Sequence, residues 1–222
     1  NGTLRAAGGV ALTHGFTVAL TNINPVTSNL VNYGNAIRSE GSGGNSLQVG
    51  SNALAVGTLS MAVGNSALAT NENSTALGVN TEARTNATAV GTGARAVALS
   101  SVAVGADAVA SGEGGSAIGI TALASGPASI AVGASATASG SGGFAAGQDS
   151  LASGLDTVAI GGNAVASANY AVALGPIASA THSTSAAIGP PDHLGNATAT
   201  TTTNRIRLGT ANHTVSVPGL IT

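Results

Sequence analysis

The 222-residue chain contains 33 Gly, no Cys and no Trp, with 2% aromatic residues, 6% charged residues and a formal net charge of -2. Against the roughly 25% charged residues of an ordinary domain, this composition excludes a thick globule, because too few large side chains exist to fill one. It also excludes disulfides and thiolate metal sites. Nucleic acid is excluded as a partner, since all six basic residues are Arg and none forms a basic stripe. With 43% hydrophobic residues and little charge repulsion, the chain can still bury apolar surface and fold.

Residues 1–45 are out of phase with everything that follows. Val18-Ala-Leu20 and Asn35-Ala-Ile37 read as degenerate coils or a cap, which the end of a stacked repeat requires. Gly41-Ser-Gly-Gly44 reads as a flexible insertion.

From Ser46 onward the chain repeats. A small–apolar–Ala–apolar–Gly string ends at Gly50, Gly64, Gly78, Gly91, Gly105, Gly119, Gly133, Gly147, Gly161, Gly175 and Gly189. The period is about 14 residues throughout, and only the step from Gly78 to Gly91 is shorter, by a single residue. The cleanest copies are Ser101-Val-Ala-Val-Gly105, Ser129-Ile-Ala-Val-Gly133 and Thr157-Val-Ala-Ile-Gly161. Ala stands two positions before the anchor in every copy but the first, where Gln48 replaces it, and recurs five positions after it from Ala55 to Ala180. Within a copy the pattern alternates with period two, so each copy predicts two short strands. The second turn often reads Ser-Gly, as at Ser111-Gly112, Ser125-Gly126, Ser139-Gly140 and Ser153-Gly154. Glycine there suggests a positive φ. The shortened copy loses its residue in this turn, at Arg84-Thr85-Asn86, so both strands should stay in phase.

Stacking such copies predicts an all-β parallel solenoid over 46–194, a rod of roughly 50 Å at about 4.8 Å per coil. The Ala and Ser face suits the inside of a very flat coil. The larger residues would point outward, including Val102, Val104, Ile130, Val132, Val158, Ile160, Val172 and Leu174. An apolar stripe along a whole rod needs a partner, and identical rods about a symmetry axis supply one. These eight residues are therefore the candidate oligomer interface. Two uncharged stretches, 114–148 and 157–191, also favour self-association.

Residues 195–222 change character, with a Thr run leading into Asn204-Arg-Ile-Arg-Leu-Gly209 and His213-Thr-Val-Ser-Val-Pro-Gly219. They read as a C-terminal β-rich extension of short strands and turns.

The string Ser-Val-Ala-Val-Gly, repeated at this period and followed by x-x-Ala-x-Ala, resembles the head repeats of trimeric autotransporter adhesins, the YadA-like family. The resemblance covers about two thirds of the chain, Ser46 to Gly189. It implies a left-handed parallel β-roll, three copies of which form a homotrimeric head on the outer surface of a Gram-negative cell. It further implies attachment to host matrix proteins such as collagen, to cells or to other surfaces. The neck, heptad stalk and membrane anchor that the family adds are not found in these residues. The C-terminal segment instead resembles the β-rich shafts of phage tail fibres, which gives a second expectation: a structural subunit of a self-assembling extracellular fibre.

No chemistry competes with these readings. His14, His182, His193 and His213 lack metal-ligand spacing, so no metal is expected, and no cofactor. Asp107 and Asp149 share one repeat phase but fall three coils apart, roughly 14 Å, too far for a glycosidase pair. Arg84 and Arg95 are expected to pair with Glu82 or to line a binding face. No nucleophile elbow or P-loop lysine occurs, and an enzyme is not expected. Thr75 and Thr88 share a phase with Met61, Val102 and Ile130, so no threonine ladder that could order ice persists. No run of about 18 unbroken apolar residues predicts a membrane helix, and this segment is expected to make no membrane contact.

Overall fold

A computed structural model describes residues 43–192 and 194–210. The expected N-terminal cap up to residue 42, together with His14, His193, His213 and the end of the C-terminal extension, lies outside the described residues.

The chain winds as a two-sheet parallel solenoid with no helix among the described residues. Each coil contributes one three-residue strand and one two-residue strand. The three-residue strands, from Leu47–Val49 to Ala186–Ile188 and then Ile206–Leu208, form a 12-stranded sheet. The two-residue strands, from Leu54–Ala55 to Ser179–Ala180, form a 10-stranded sheet. Every strand pairs in parallel with its equivalent one coil later, as in Ser116↔Ile130, Ala117↔Ala131 and Ile118↔Val132.

The period-two alternation decides what is inside. Among the described residues the buried apolar core consists of alanines alone, including Ala103, Ala117, Ala131 and Ala145 from the first sheet and Ala110, Ala124 and Ala138 from the second. A single methyl per position lets the two sheets approach closer than the roughly 10 Å usual for stacked sheets. Nothing larger than Ala, Ser or Thr is fully buried among these residues. Most of the buried hydroxyls turn back onto their own corner, with Ser101 Oγ donating to the Ala98 carbonyl at 2.7 Å and Thr157 Oγ1 to that of Gly154 at 3.0 Å, whereas Ser60 Oγ and Ser129 Oγ make no such bond. Where the bond forms, it satisfies a carbonyl of the tight turn. Gln48, the one departure from the alanine phase, is also buried, and its Oε1 accepts the Ala55 N–H at 3.1 Å.

All eleven anchor glycines have φ between 127° and 139°, a region closed to side-chain-bearing residues. The second-turn glycines have a different reason to be glycine from the one expected. Positive φ falls two residues further on, at Gly114, Ala128, Gly142 and Asp156. Gly112, Gly126 and Gly140 are excluded from carrying a side chain by close approach, since a Cβ at Gly112 would lie 2.0 Å from the Gly126 carbonyl oxygen of the next coil. Gly43 and Gly44, expected in a flexible insertion, instead build the same turn of the first described coil. Gly44 accepts the Leu59 N–H at 2.9 Å, and Gly43 stacks against the Gly57 carbonyl, where a Cβ would come within 2.1 Å.

The shortened coil keeps both sheets intact. Thr75 pairs with Thr88 and Glu82 with Arg95, and the turn closes with the Ala87 N–H on the Arg84 carbonyl at 3.0 Å. At the other end the pairing Ala186↔Ile206 spans a longer loop than any preceding coil. That loop is organised by Asp192, whose Oδ1 accepts the N–H groups of Leu194 and Asn196, each at 2.9 Å. The segment read as a C-terminal β-rich extension thus supplies the twelfth strand. There Arg207 stands opposite the buried Ala187 and donates to the carbonyl oxygens of Gly209 at 3.2 Å and Ala199 at 3.5 Å.

Each coil has two left-handed corner residues, most of them Asn, Asp or Ser, whose short polar side chains tolerate that conformation. Leu59 is an exception, with φ 57° and an exposed side chain between Asn45 and Asn73 in the same phase. Leu59→Asn is expected to stabilise the fold by about 1 kcal/mol, read as a higher thermal midpoint. An unchanged or lower midpoint would show that this corner carries no strain.

Candidate interaction faces

With the interior filled by methyl groups, every larger apolar side chain projects outward. On the 12-stranded sheet these form two columns. The first runs through the leading residue of each strand and the second through the trailing residue. All eight candidate interface residues lie here: Val102, Ile130, Val158 and Val172 in the first column, and Val104, Val132, Ile160 and Leu174 in the second. Ile130, Val132 and Leu174 are exposed and the other five half-buried in the single chain.

The columns extend beyond the eight. The second column is apolar in all twelve strands, from Val49 and Val63 to Ile188 and Leu208. At about 4.8 Å per step this is an apolar ridge of roughly 53 Å. The first column is mixed, with Thr75 and Thr88 adjacent between Met61 and Val102. The residues not singled out beforehand, such as Leu47, Met61, Leu77, Ile118 and Phe144, carry the same repeat phase. The spacing alone was enough to find them.

The 10-stranded sheet presents a different face. Its outward positions begin with Leu54 and Leu68, are interrupted by Glu82 and Arg95, and resume with Val109 and Leu123. The interruption is an ion cluster. Glu82 receives Arg84 at 2.9 Å and Arg95 from the next coil at 3.1 Å, one guanidinium on each carboxylate oxygen. Both arginines are about half exposed, so solvent screening leaves each pair worth at most about 1 kcal/mol. Both arginines thus make the pairing with Glu82 that the sequence offered as one of two alternatives.

The turns carry polar ladders. Asn73 Nδ2 donates to Asn86 Oδ1 at 3.0 Å, and Thr121 Oγ1 lies 3.1 Å from Ser135 Oγ. Asp107 and Asp149 occupy equivalent corners three coils apart. His182 stands in a turn with its Nδ1 3.3 Å from Thr181 Oγ1. Among the described residues no three His, Asp or Glu side chains converge on a point that could hold a metal ion. Nor is any helix among them long and apolar enough to cross a membrane.

The family model described as the YadA head domain repeat matches residues 55–81, 85–108, 96–122, 110–134, 124–150 and 152–176, together more than half of the chain. The chain belongs to the YadA head repeat family. Each match spans about two coils of the roll, in keeping with a family model that holds two copies of the repeat. Among solved structures, the collagen-binding domain of the Yersinia adhesin YadA is similar at 23% identity, over 78% of this chain and 79% of that one, with a TM-score of 0.38. No curated protein matches the chain. As a YadA head repeat protein it presents two extended faces, one on each sheet.

Proposed function

We propose that this YadA head repeat chain is a non-enzymatic adhesin head, assembled as a homotrimer and displayed on a bacterial outer surface. The observation that carries the reading is the second column of the 12-stranded sheet, apolar in all twelve strands. A ridge of that length is a poor surface to leave in water, and a cyclic arrangement of three copies buries it at every height. The interface in this reading is Val102, Val104, Ile130, Val132, Val158, Ile160, Val172 and Leu174 with their neighbours in the two columns. The 10-stranded sheet and the polar turns then face outward as the binding surface.

Repetition substitutes for a pocket in this mode of binding. A ligand that is itself extended can touch several coils, and three copies per head multiply weak contacts through effective concentration. Matrix proteins such as collagen fit that description and are the ligand class the family resemblance implies. The test is binding of the purified oligomer to immobilised collagen, fibronectin and laminin, with serum albumin as control. Saturable binding to a matrix protein at micromolar or tighter concentration is expected. Binding no stronger than to albumin across the panel would contradict a matrix-adhesin role.

A second reading, a structural subunit of an extracellular fibre, is favoured by the uncharged stretches 114–148 and 157–191, which leave long segments of the roll with nothing to oppose lateral association. Long filaments in electron micrographs of the purified protein would put this reading first.

A further inference from the structure

We propose that the second column of the 12-stranded sheet lines the three-fold axis of the oligomer, where each of its residues meets its own equivalents from the other two copies. The first column then lies further from the axis, against the flank of a neighbouring copy. The proposal rests on the homotrimer reading and goes beyond it, because burial of this face does not by itself say which column is innermost.

The two columns differ in composition. The second is apolar in all twelve strands, whereas the first carries Thr75, Thr88 and Ser116. A side chain on a three-fold axis is enclosed by two copies of itself and loses water from every side. A hydroxyl held there without a partner costs free energy. One column further out, the same hydroxyl keeps a path to solvent.

Their flanks differ in the same direction. Beyond the second column each coil turns at its anchor glycine, and the residue after that glycine is uncharged at every anchor. At Val79 and Ile120 it is apolar and exposed. The glycines are half-buried in the single chain and carry no side chain to hold a neighbour away. Two residues before the first column the corner is polar in most coils, as at Asn73, Asn86, Ser100, Asp156 and Thr184. On the other side polar groups return only past the glycine flank, at corners such as Asp107 and Asp149. The apolar surface is therefore centred on the second column and not on the midline of the sheet. Protein interfaces place a dry apolar centre inside a polar rim. In a cyclic trimer the most enclosed line is the axis, and the second column is the part of this face suited to it.

The chain has no cysteine, so a single introduced thiol reports its own position. I160C and V158C differ by one column within one strand. V132C and I130C repeat the comparison two coils away. Each purified variant is treated with a short-armed trifunctional maleimide, which joins three chains only where three thiols converge. Native mass and circular dichroism before treatment confirm that each variant is folded and assembled. I160C and V132C are expected to give covalent trimers at about tenfold the yield of V158C and I130C, because converging thiols react at a high effective concentration. Equal yields from the two columns, or more from the first, overturn the axial assignment while leaving the oligomer standing. So does the absence of covalent trimer from all four variants when their native mass is that of three chains. A native chain that is monomeric overturns both the assignment and the homotrimer reading.

Discussion

The V132D/I160D double variant is expected to lose the oligomer and to appear as unfolded or aggregated chain. Val132 and Ile160 lie two coils apart in the second column, with Ala146 between them. In a trimer the two substitutions place six carboxylates along the buried seam. Each costs several kcal/mol when taken from water without a partner, which together exceed the roughly 5–15 kcal/mol typical of a whole domain's stability. The control is V109D on the 10-stranded sheet, where Val109 stands beside Arg95 in the adjacent strand. That variant is expected to keep its native mass. If V132D/I160D instead yields a stable, folded monomer, these residues do not face a partner. If V109D is the variant that dissociates, the two faces have been assigned the wrong way round.

The second large effect is expected at the anchors. Gly105→Ala places a methyl group on a backbone with φ 136°, 2.3 Å from the Gly119 carbonyl oxygen of the next coil. The conformation alone costs on the order of 1–3 kcal/mol for a non-glycine residue, and relief of the clash must separate two hydrogen-bonded coils. A loss of about 3 kcal/mol or more is expected, seen as a lower denaturation midpoint. The matched control is Gly114→Asn, where φ is 64° and no atom lies within 4 Å of the added Cβ. That position accepts asparagine as readily as Asn73 and Asn86 occupy equivalent corners. A Gly105→Ala variant within about 0.5 kcal/mol of the parent, the range of a neutral surface change, would show that the anchor geometry is not what closes the coil.

Much of this was readable from residue spacing. Phase identified the strands, because Ala and Val alternate with period two and the anchor glycines recur once per coil. It placed all eight interface candidates on one outer face. It located the single deletion in a turn, where Arg84 closes the shortened corner. What spacing could not show was why a given glycine is glycine. Positive φ and close approach both demand it, and only the stacked coils separate Gly105, which has both reasons, from Gly112, which has the second alone. Nor could it show that Gly43 and Gly44 belong to a coil, because their role comes from Gly57 and Leu59 across the stack. Likewise Glu82 and Arg95 lie a full coil apart in sequence, and only the parallel pairing makes them neighbours.

Burial of the apolar ridge of the 12-stranded sheet between copies of this chain is the claim on which the rest depends. Native mass across a range of protein concentrations tests it most directly, by light scattering with electron microscopy of the same sample. A discrete particle with three times the mass of the 20.8 kDa chain, persisting on dilution, is expected. A folded, soluble particle of 20.8 kDa at every concentration would contradict it.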